Sequence, residues 1–515
     1  MKRSPASRQP QQTLPPLRPW QSACLQKALA TLSRAHPHFL CQATPGAGKM
    51  RLAAELAREL MARGDIDYVL YCGPTRAVVQ AAIETLQEVT GQPMHGQLGA
   101  AGSGMTYHAL PGRLGALQRL GRQHRVLLVW DEAHHGAGHL GGEGPNQWGS
   151  TLIALERHMT YTLALSGTPW RTDGSCLPLL RYLEVPDEPE GAPSQLGPTA
   201  VPAPDSTGQE PKTTQVLQPD FVYPLQDAIR DGVCRYPRVQ LVDNRAIELT
   251  GYHPRTGRQE TYRYASIPQL LRHPAIDYGS LVRVDAPMQR VLSLGGRQLN
   301  ALRQQDSSAA GLVVAADIEH AEVVTQHLEE AGNEVCLVTS RDPYAHDRLK
   351  AFRQASTPWI VSVGMVSEGV DIPRLRVCCY LSHIRTEQYF RQVLGRIIRR
   401  QGVGDPDCHL YALNDARLAQ MARRLSDDLP QDLARVSLTG ESTAPAGGHG
   451  AAPPQTHSST TPTGTTGDPS DAAATGSIVS VTMGEHSSLA TASVAPDVAF
   501  SQRFFERLIA IRLTT

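Results

Sequence analysis

A lysine, two adjacent carboxylates and a pair of arginines are the side chains in this sequence whose settings suit phosphate chemistry. Residues 43–49 read Ala43-Thr44-Pro45-Gly46-Ala47-Gly48-Lys49, directly ahead of a helical pattern. Glycines at such a turn let backbone N–H groups converge on phosphate oxygens. The lysine meets the charge of the terminal phosphates, and a helix N-terminus adds its dipole. A functionless Gly-rich turn would carry the same letters, so the string alone leaves both readings open. The residue after the lysine, where a Ser or Thr hydroxyl would serve as a magnesium ligand, is Met50. A thioether is a soft, poor ligand for a hard cation, so Met50 puts the speed of any phosphate chemistry in question.

Asp131-Glu132-Ala133-His134 follows the wholly apolar run Val126-Leu127-Leu128-Val129-Trp130. A carboxylate at the C-terminal end of a parallel strand faces the crevice where ligands bind. There Asp131 can hold magnesium, usually through water, while Glu132 orients and deprotonates an attacking water. His134, His135 and His139 lie nearby without the carboxylate or cysteine spacing of a metal centre. Ser166-Gly167-Thr168-Pro169 closes another apolar run. Small hydroxyls there either relay the state of a γ-phosphate to a neighbouring surface or simply make a turn. Further on, Gln392, Arg396 and Arg399 recur at i, i+4 and i+7, one face of a helix, while Val393, Leu394, Ile397 and Ile398 pack inward. Two such arginines are either a solvated stripe or arginine fingers reaching across a cleft to a phosphate, a contribution of about 10³–10⁵ in rate. A phosphate loop and paired carboxylates in the same chain favour the fingers.

The elements that must position these groups follow from hydrophobic period. Tyr68–Cys72, Val126–Trp130 and Tyr161–Leu165 are five-residue apolar runs separated by amphipathic stretches, as in Arg51–Arg63, where Leu52, Leu56 and Leu60 repeat every four residues. This is the pattern of buried strands in a parallel α/β sheet. It spans residues 17–184. Residues 185–220 are rich in Pro, Gly, Ser and Glu and read as a flexible insertion or linker. A second α/β series is expected over 221–430, with strands near Gly311–Ala316, Val335–Val338, Trp359–Val363, Arg376–Leu381 and Cys408–Leu413, and helices near Glu319–Ala331 and Glu387–Arg400. Residues 438–497 form a Thr/Ser/Ala/Gly/Pro tract without periodicity and read as a disordered tail. In 499–515, Phe500, Phe504, Leu508 and Ile511 match one face of a short amphipathic helix, which either docks on the body or binds a protein partner.

With Lys+Arg and Asp+Glu equal at 49 each, net charge neither demands nor excludes a nucleic-acid partner. The nine cysteines include no C-x-x-C pair and mostly sit in strand-like runs, which points to buried thiols rather than a zinc site or disulfide framework. Residues 1–16 are polar, Pro/Gln-rich and expected to be disordered. No apolar stretch reaches the ~18 residues of a membrane helix. A cytoplasmic protein without membrane contact is the expectation.

Taken in order, ATPGAGKM, CGPTR at 72–76, TYHAL at 106–110, DEAH, SGTPWR, SEGVDIP at 367–373 and QVLGRIIRR at 392–400 resemble the motif set of superfamily 2 helicases. The DEAHH, GTPWR and QVLGRIIRR strings are most similar to the branch holding the motor subunits of type I and type III restriction enzymes. The resemblance implies two RecA-like, doubly wound parallel-sheet lobes in tandem (a P-loop NTPase) using ATP and Mg²⁺. It implies that Gln21 reads the adenine edge and that Thr44–Met50 and Asp371 line the nucleotide. His134 and Gln392 would couple the γ-phosphate to lobe closure, together with Ser166 and Thr168. Pro74, Thr75, Arg76, Thr106, Tyr107, Glu368 and Gly369 would meet a nucleic-acid strand, DNA in preference to RNA. Phosphate contacts of that kind give salt-dependent, largely sequence-independent affinity.

Overall fold

Short apolar strands pair in parallel wherever a helix carries the chain back across the sheet. The computed structural model describes residues 14–133, 147–167, 182–186, 200–202, 213–252, 259–364, 372–402, 404–427, 479–482 and 497–508. Its first series runs α1 (Pro19–Thr31), β1 (His38–Ala43), α2 (Lys49–Ala62), β2 (Tyr68–Gly73), α3 (Arg76–Thr90), β3 (Gly102–Thr106), α4 (Leu110–Gln123), β4 (Val126–Asp131), α5 (Gln147–Glu156) and β5 (Tyr161–Ser166). The expected leucine stripe of α2 is buried, together with Ala53, Ala54 and Ala57. In β4 the five apolar residues are buried and only the terminal Asp131 emerges. The all-parallel sheet has the order β3-β2-β4-β5-β1 followed by β9 (Phe221–Tyr223), a strand supplied from beyond residue 220.

Between the two series, β6 (Tyr182–Pro186), β7 (Ala200–Pro202) and β8 (Thr213–Leu217) form a three-stranded antiparallel sheet. The stretch read as a linker thus contains paired strands. A second correction concerns the boundary at 221. Strand β9 (Phe221–Tyr223) pairs with β1 and completes the first lobe rather than opening the second. Trp20, buried in α1, stacks on Tyr223 with ring centroids 4.7 Å apart and fixes that return.

The second lobe follows through α6 (Leu225–Arg230), β10 (Tyr236–Asn244), β11 (Ile247–Tyr252), β12 (Gln259–Tyr264), α7 (Ile267–Leu270), α8 (Tyr278–Leu281), α9 (Asp285–Arg303), β13 (Ala310–Val314), α10 (Ile318–Glu330), β14 (Val335–Val338), α11 (Ala345–Gln354), β15 (Trp359–Ser362), β16 (Leu375–Tyr380), α12 (Glu387–Ile397), β17 (Asp407–Leu413) and α13 (Ala416–Asp427). Its sheet order is β14-β15-β13-β16-β17-β10, all parallel, followed by the antiparallel β20 (Phe504–Leu508). Both lobes are therefore helix-flanked parallel sheets, the expected tandem arrangement. Among the described residues no helix is long and apolar enough to cross a membrane.

The tail overturns one expectation outright. β18 (Val479–Thr482), β19 (Asp497–Phe500) and β20 (Phe504–Leu508) are strands where a low-complexity tract and a helix were expected. β19 joins β11 and β20 lines the free edge of β10, both antiparallel. The four-residue spacing of Phe500, Phe504 and Leu508 fits a helix face in isolation. Pairing to existing sheet edges decides otherwise, since an edge offers backbone partners that a short isolated helix lacks. Phe500 stacks on Phe504 at 5.8 Å, and Val498 and Phe500 are buried. Val498→Ala is expected to cost about 2 kcal/mol from lost burial plus a residual cavity. Urea denaturation should show a lower midpoint with unchanged slope; an unshifted midpoint would mean that the tail contributes no packing.

Candidate nucleotide site between the lobes

β1 delivers the chain into the loop Thr44–Gly48 and α2 takes it away. Gly46 and Gly48 adopt left-handed φ values of 81° and 96°, which side chains rarely tolerate. Arg18 Nη1 donates to the Ala47 carbonyl at 2.6 Å, and Gln21 Nε2 donates to that of Gly48 at 2.9 Å. The side-chain Oε1 of Gln21 in turn accepts from the Arg18 backbone N–H at 2.9 Å. Gln21, expected at an adenine edge, is buried and holds the shape of the phosphate loop. Lys49 Nζ donates to the Ala43 carbonyl at 3.1 Å, so its charge lies along the loop.

Asp131 comes out of β4 into this same space. Its Oδ2 accepts from the Tyr71 hydroxyl at 2.6 Å, and its Oδ1 from the Glu132 N–H at 3.1 Å. The Tyr107 hydroxyl donates to its backbone carbonyl. Burial pushes the Asp131 carboxyl up to about 6; the Glu132 charge adds to the rise, and Lys49 and the Tyr71 hydrogen bond oppose it. Tyr71 is raised well above its ordinary value by burial and then by Asp131, so it stays a protonated donor. Glu132 has φ 53°, the one left-handed non-glycine among the described residues. Backbone strain of that kind costs on the order of 1–3 kcal/mol and persists where the surroundings impose it.

The second lobe closes the cleft with α12, capped at its start by the Thr386 side chain accepting from the Tyr389 N–H. Gln392, Arg396 and Arg399 line one cavity of about 300 Å³ with Lys49, Met50, Tyr71, Asp131 and Glu132. Arg399 does so from an unexpected position. α12 ends at Ile397, and Arg399 forms a β-bridge with Cys234, so the three residues share a cleft and not a helix face. The turn is pinned because the Arg235 N–H donates to the Ile398 carbonyl at 2.6 Å. Contact between the lobes depends on small residues on both sides. A Cβ on Gly395 would lie 2.6 Å from Pro45 Cβ, and one on Gly46 would lie 2.7 Å from Arg399 Cγ.

The remaining expected residues divide into three sets. Pro74 borders the cavity, Thr75 caps α3 through its side chain, Arg76 is exposed, and Thr106 is half-buried at the end of β3. Tyr107, expected on a nucleic-acid strand, is buried beneath Asp131, because its hydroxyl finds a carbonyl there. Ser166 is buried beside Gln42 at the end of β5. His134, Thr168, Glu368, Gly369 and Asp371 lie outside the described residues.

Sequence reasoning missed three contributors. Tyr71 was readable only as one more apolar strand residue. Arg18 carries no signal beyond its place before Pro19. Arg235 is fully buried under the α12 turn and donates to the carbonyls of Leu375, Ile397 and Pro373 at 2.6–2.7 Å, and to Asp405.

The donor set suits a nucleoside triphosphate carrying a divalent ion. Left-handed glycines present backbone amides, a lysine lies on the loop, and a carboxylate faces it across one cavity. Among the described residues no group of three or more His, Cys, Asp or Glu could hold a metal ion unaided. An ion here would take its other oxygens from phosphate and water, as magnesium does.

Residues 14–171 match the family described as Type III restriction enzyme, res subunit. A protein of Mycobacterium tuberculosis described as uncharacterized is 28% identical over 424 residues, covering 80% of this chain and 63% of that protein. One of Mycobacterium leprae is 28% identical over 422 residues, covering 80% and 64%. The chain thus spans less than two thirds of the length of these curated relatives. Among solved structures, a fragment assigned to the HsdR subunit of a type I restriction enzyme from Vibrio vulnificus is similar at 16% identity and a TM-score of 0.49, covering 78% of this chain and 65% of that one.

Proposed function

We propose that this chain, whose residues 14–171 match the Type III restriction enzyme res subunit family, is a motor of the superfamily 2 helicase type that hydrolyses Mg–ATP between its two lobes to translocate along, or unwind, DNA. The observation that carries this reading is a single cavity lined by Lys49, Asp131 and Glu132 from one lobe and by Gln392, Arg396 and Arg399 from the other. An active site divided in this way turns over only when the lobes close, so chemistry and relative lobe movement are coupled.

In this reading Lys49 and the loop amides hold the terminal phosphates, and Gln21 with Arg18 keeps those amides in register. Asp131 would hold the ion through water, and the bound ion would offset charge developing on the phosphates. Glu132 orients and deprotonates the attacking water, held toward the cleft by its left-handed backbone. Arg396 and Arg399 stabilise charge on the transferred phosphoryl group, and Gln392 reports its presence to α12. Thr75, Arg76 and Thr106 would grip strand phosphates, joined by Glu368 and Gly369.

Met50 favours a second reading, a nucleotide-gated nucleic-acid-binding module that turns over little ATP. Phosphate release measured with single-stranded DNA, duplex DNA or RNA separates the two. Stimulation by DNA that falls by about 10²–10⁴ in Glu132→Gln, with nucleotide still bound, is the expected result. A rate indifferent to Glu132→Gln would sink the motor reading, and stimulation by RNA alone would move the substrate from DNA to RNA.

A further inference from the structure

Met50 removes a hydroxyl from the side of the loop where an ion would sit, and the structure offers one nearby. Tyr71 and Met50 line the same cavity, and the Tyr71 hydroxyl lies 2.6 Å from Asp131 Oδ2. The neighbouring apolar residues of β2 carry no polar atom into that space; Val69, Leu70 and Cys72 are buried in the sheet. Tyr71 is held from behind by Gly73, where a Cβ would meet the ring at 2.9 Å and the hydroxyl at 3.1 Å. Its phenol is thus fixed beside the carboxylate. A phenol that donates its single proton to Asp131 keeps its lone pairs as acceptors.

We infer that Tyr71 supplies the neutral oxygen missing at position 50, holding the hydration shell of the nucleotide-bound divalent ion together with Asp131. The inference rests on the nucleotide-site reading above and deepens it. A magnesium ion keeps several waters and leaves much of its binding to groups that accept hydrogen bonds from them. A hydroxyl need not ligate the metal directly to do this; it must lie next to the carboxylate that shares the same shell, as Tyr71 does. The arrangement also accounts for a phenol among the buried residues of a strand whose other buried side chains are apolar. Buried phenols seek a partner, and this one has taken the metal-side carboxylate rather than a backbone carbonyl.

The test uses a fluorescent ATP analogue that resists hydrolysis, titrated onto the full chain with Mg²⁺ and, separately, with EDTA. Tyr71→Phe keeps the ring and removes only the oxygen. It should raise the Mg²⁺ concentration needed for half-maximal tightening by about tenfold, the loss of one hydrogen bond to a charged site. Affinity in EDTA should be unchanged. Met50→Thr in the Tyr71→Phe background should return the Mg²⁺ requirement to within about twofold of wild type, because the loop hydroxyl then does the work. An unchanged Mg²⁺ requirement in Tyr71→Phe overturns the inference. So does equal weakening in Mg²⁺ and EDTA, the mark of a packing role. If neither wild type nor Met50→Thr binds the analogue in a manner sensitive to Lys49→Ala, the nucleotide-site reading itself falls and takes this inference with it.

Discussion

Arg399→Ala is expected to slow nucleic-acid-stimulated phosphate release by about 10³-fold or more while leaving nucleotide affinity within a few-fold. The Arg399 stem crosses from the second lobe and lies against Gly46, close enough that a Cβ there would stand 2.7 Å from its Cγ. Its guanidinium therefore ends in the cavity that holds Lys49 and Glu132, where charge would develop during phosphoryl transfer. Lysine should rescue little of the loss, because a point charge cannot reproduce the planar fork. Steady-state rates beside equilibrium binding of the nucleotide decide the matter. An unchanged turnover number would mean that the side chain merely packs the lobes together.

Arg235→Met should destabilise the second lobe by about 3–5 kcal/mol. Arg235 is 1% exposed, and methionine would leave the carbonyls of Pro373, Leu375 and Ile397 without their donor. Asp405 would retain Arg376, whose Nε lies 2.8 Å from its Oδ1, so the carboxylate is not fully orphaned. Even so, the two buried carbonyls of Leu375 and Ile397 and the partly buried one of Pro373 would each lose a donor at a desolvation cost. The Ile397 carbonyl lies two residues before Arg399, so turnover should fall along with stability. Denaturant unfolding followed at the second lobe, with turnover measured well below the midpoint, separates the two effects. A shift below about 1 kcal/mol would show that the carbonyls find other donors.

How far the letters carried the structure depended on whether a residue's partners were near in sequence. The loop, β4 with its terminal Asp131, β2 and β5 beside it, and β13 to β17 of the second lobe were legible because burial imprints a short-range period; β1, β3, β9 and β10 were not read. β14 matches the expected Val335–Val338, and β15, β16 and β17 differ by a residue or so at an end. Arg399 was assigned to a helix because its spacing from Gln392 allows it; the turn after Ile397 is imposed by Arg235, which lies more than a hundred residues earlier. Tyr107 matched a motif by letter, yet its hydroxyl turns inward to a carbonyl that only the folded sheet brings near. The Phe500–Leu508 segment is ambiguous in isolation and becomes a strand because β10 presents an open edge. Tyr71 was visible as a letter, and only the pairing of β2 with β4 set its hydroxyl beside Asp131.

Strand β20 also has a consequence for the order in which the molecule is made. The first lobe has all its strands once Tyr223 has been synthesised, whereas the sheet of the second waits for Phe504–Leu508, about ninety residues after β17 ends at Leu413. At ~5–20 residues per second a ribosome leaves a delay of roughly 5–20 s, during which the backbone groups along the outer side of β10 lack their final partner. Nascent chains in that interval carry a finished phosphate loop beside an unfinished second half, so chaperone capture and misassociation should concentrate there. Translation speed through residues 414–503, and not only the strength of the folded contacts, then governs how much of the chain reaches its working form.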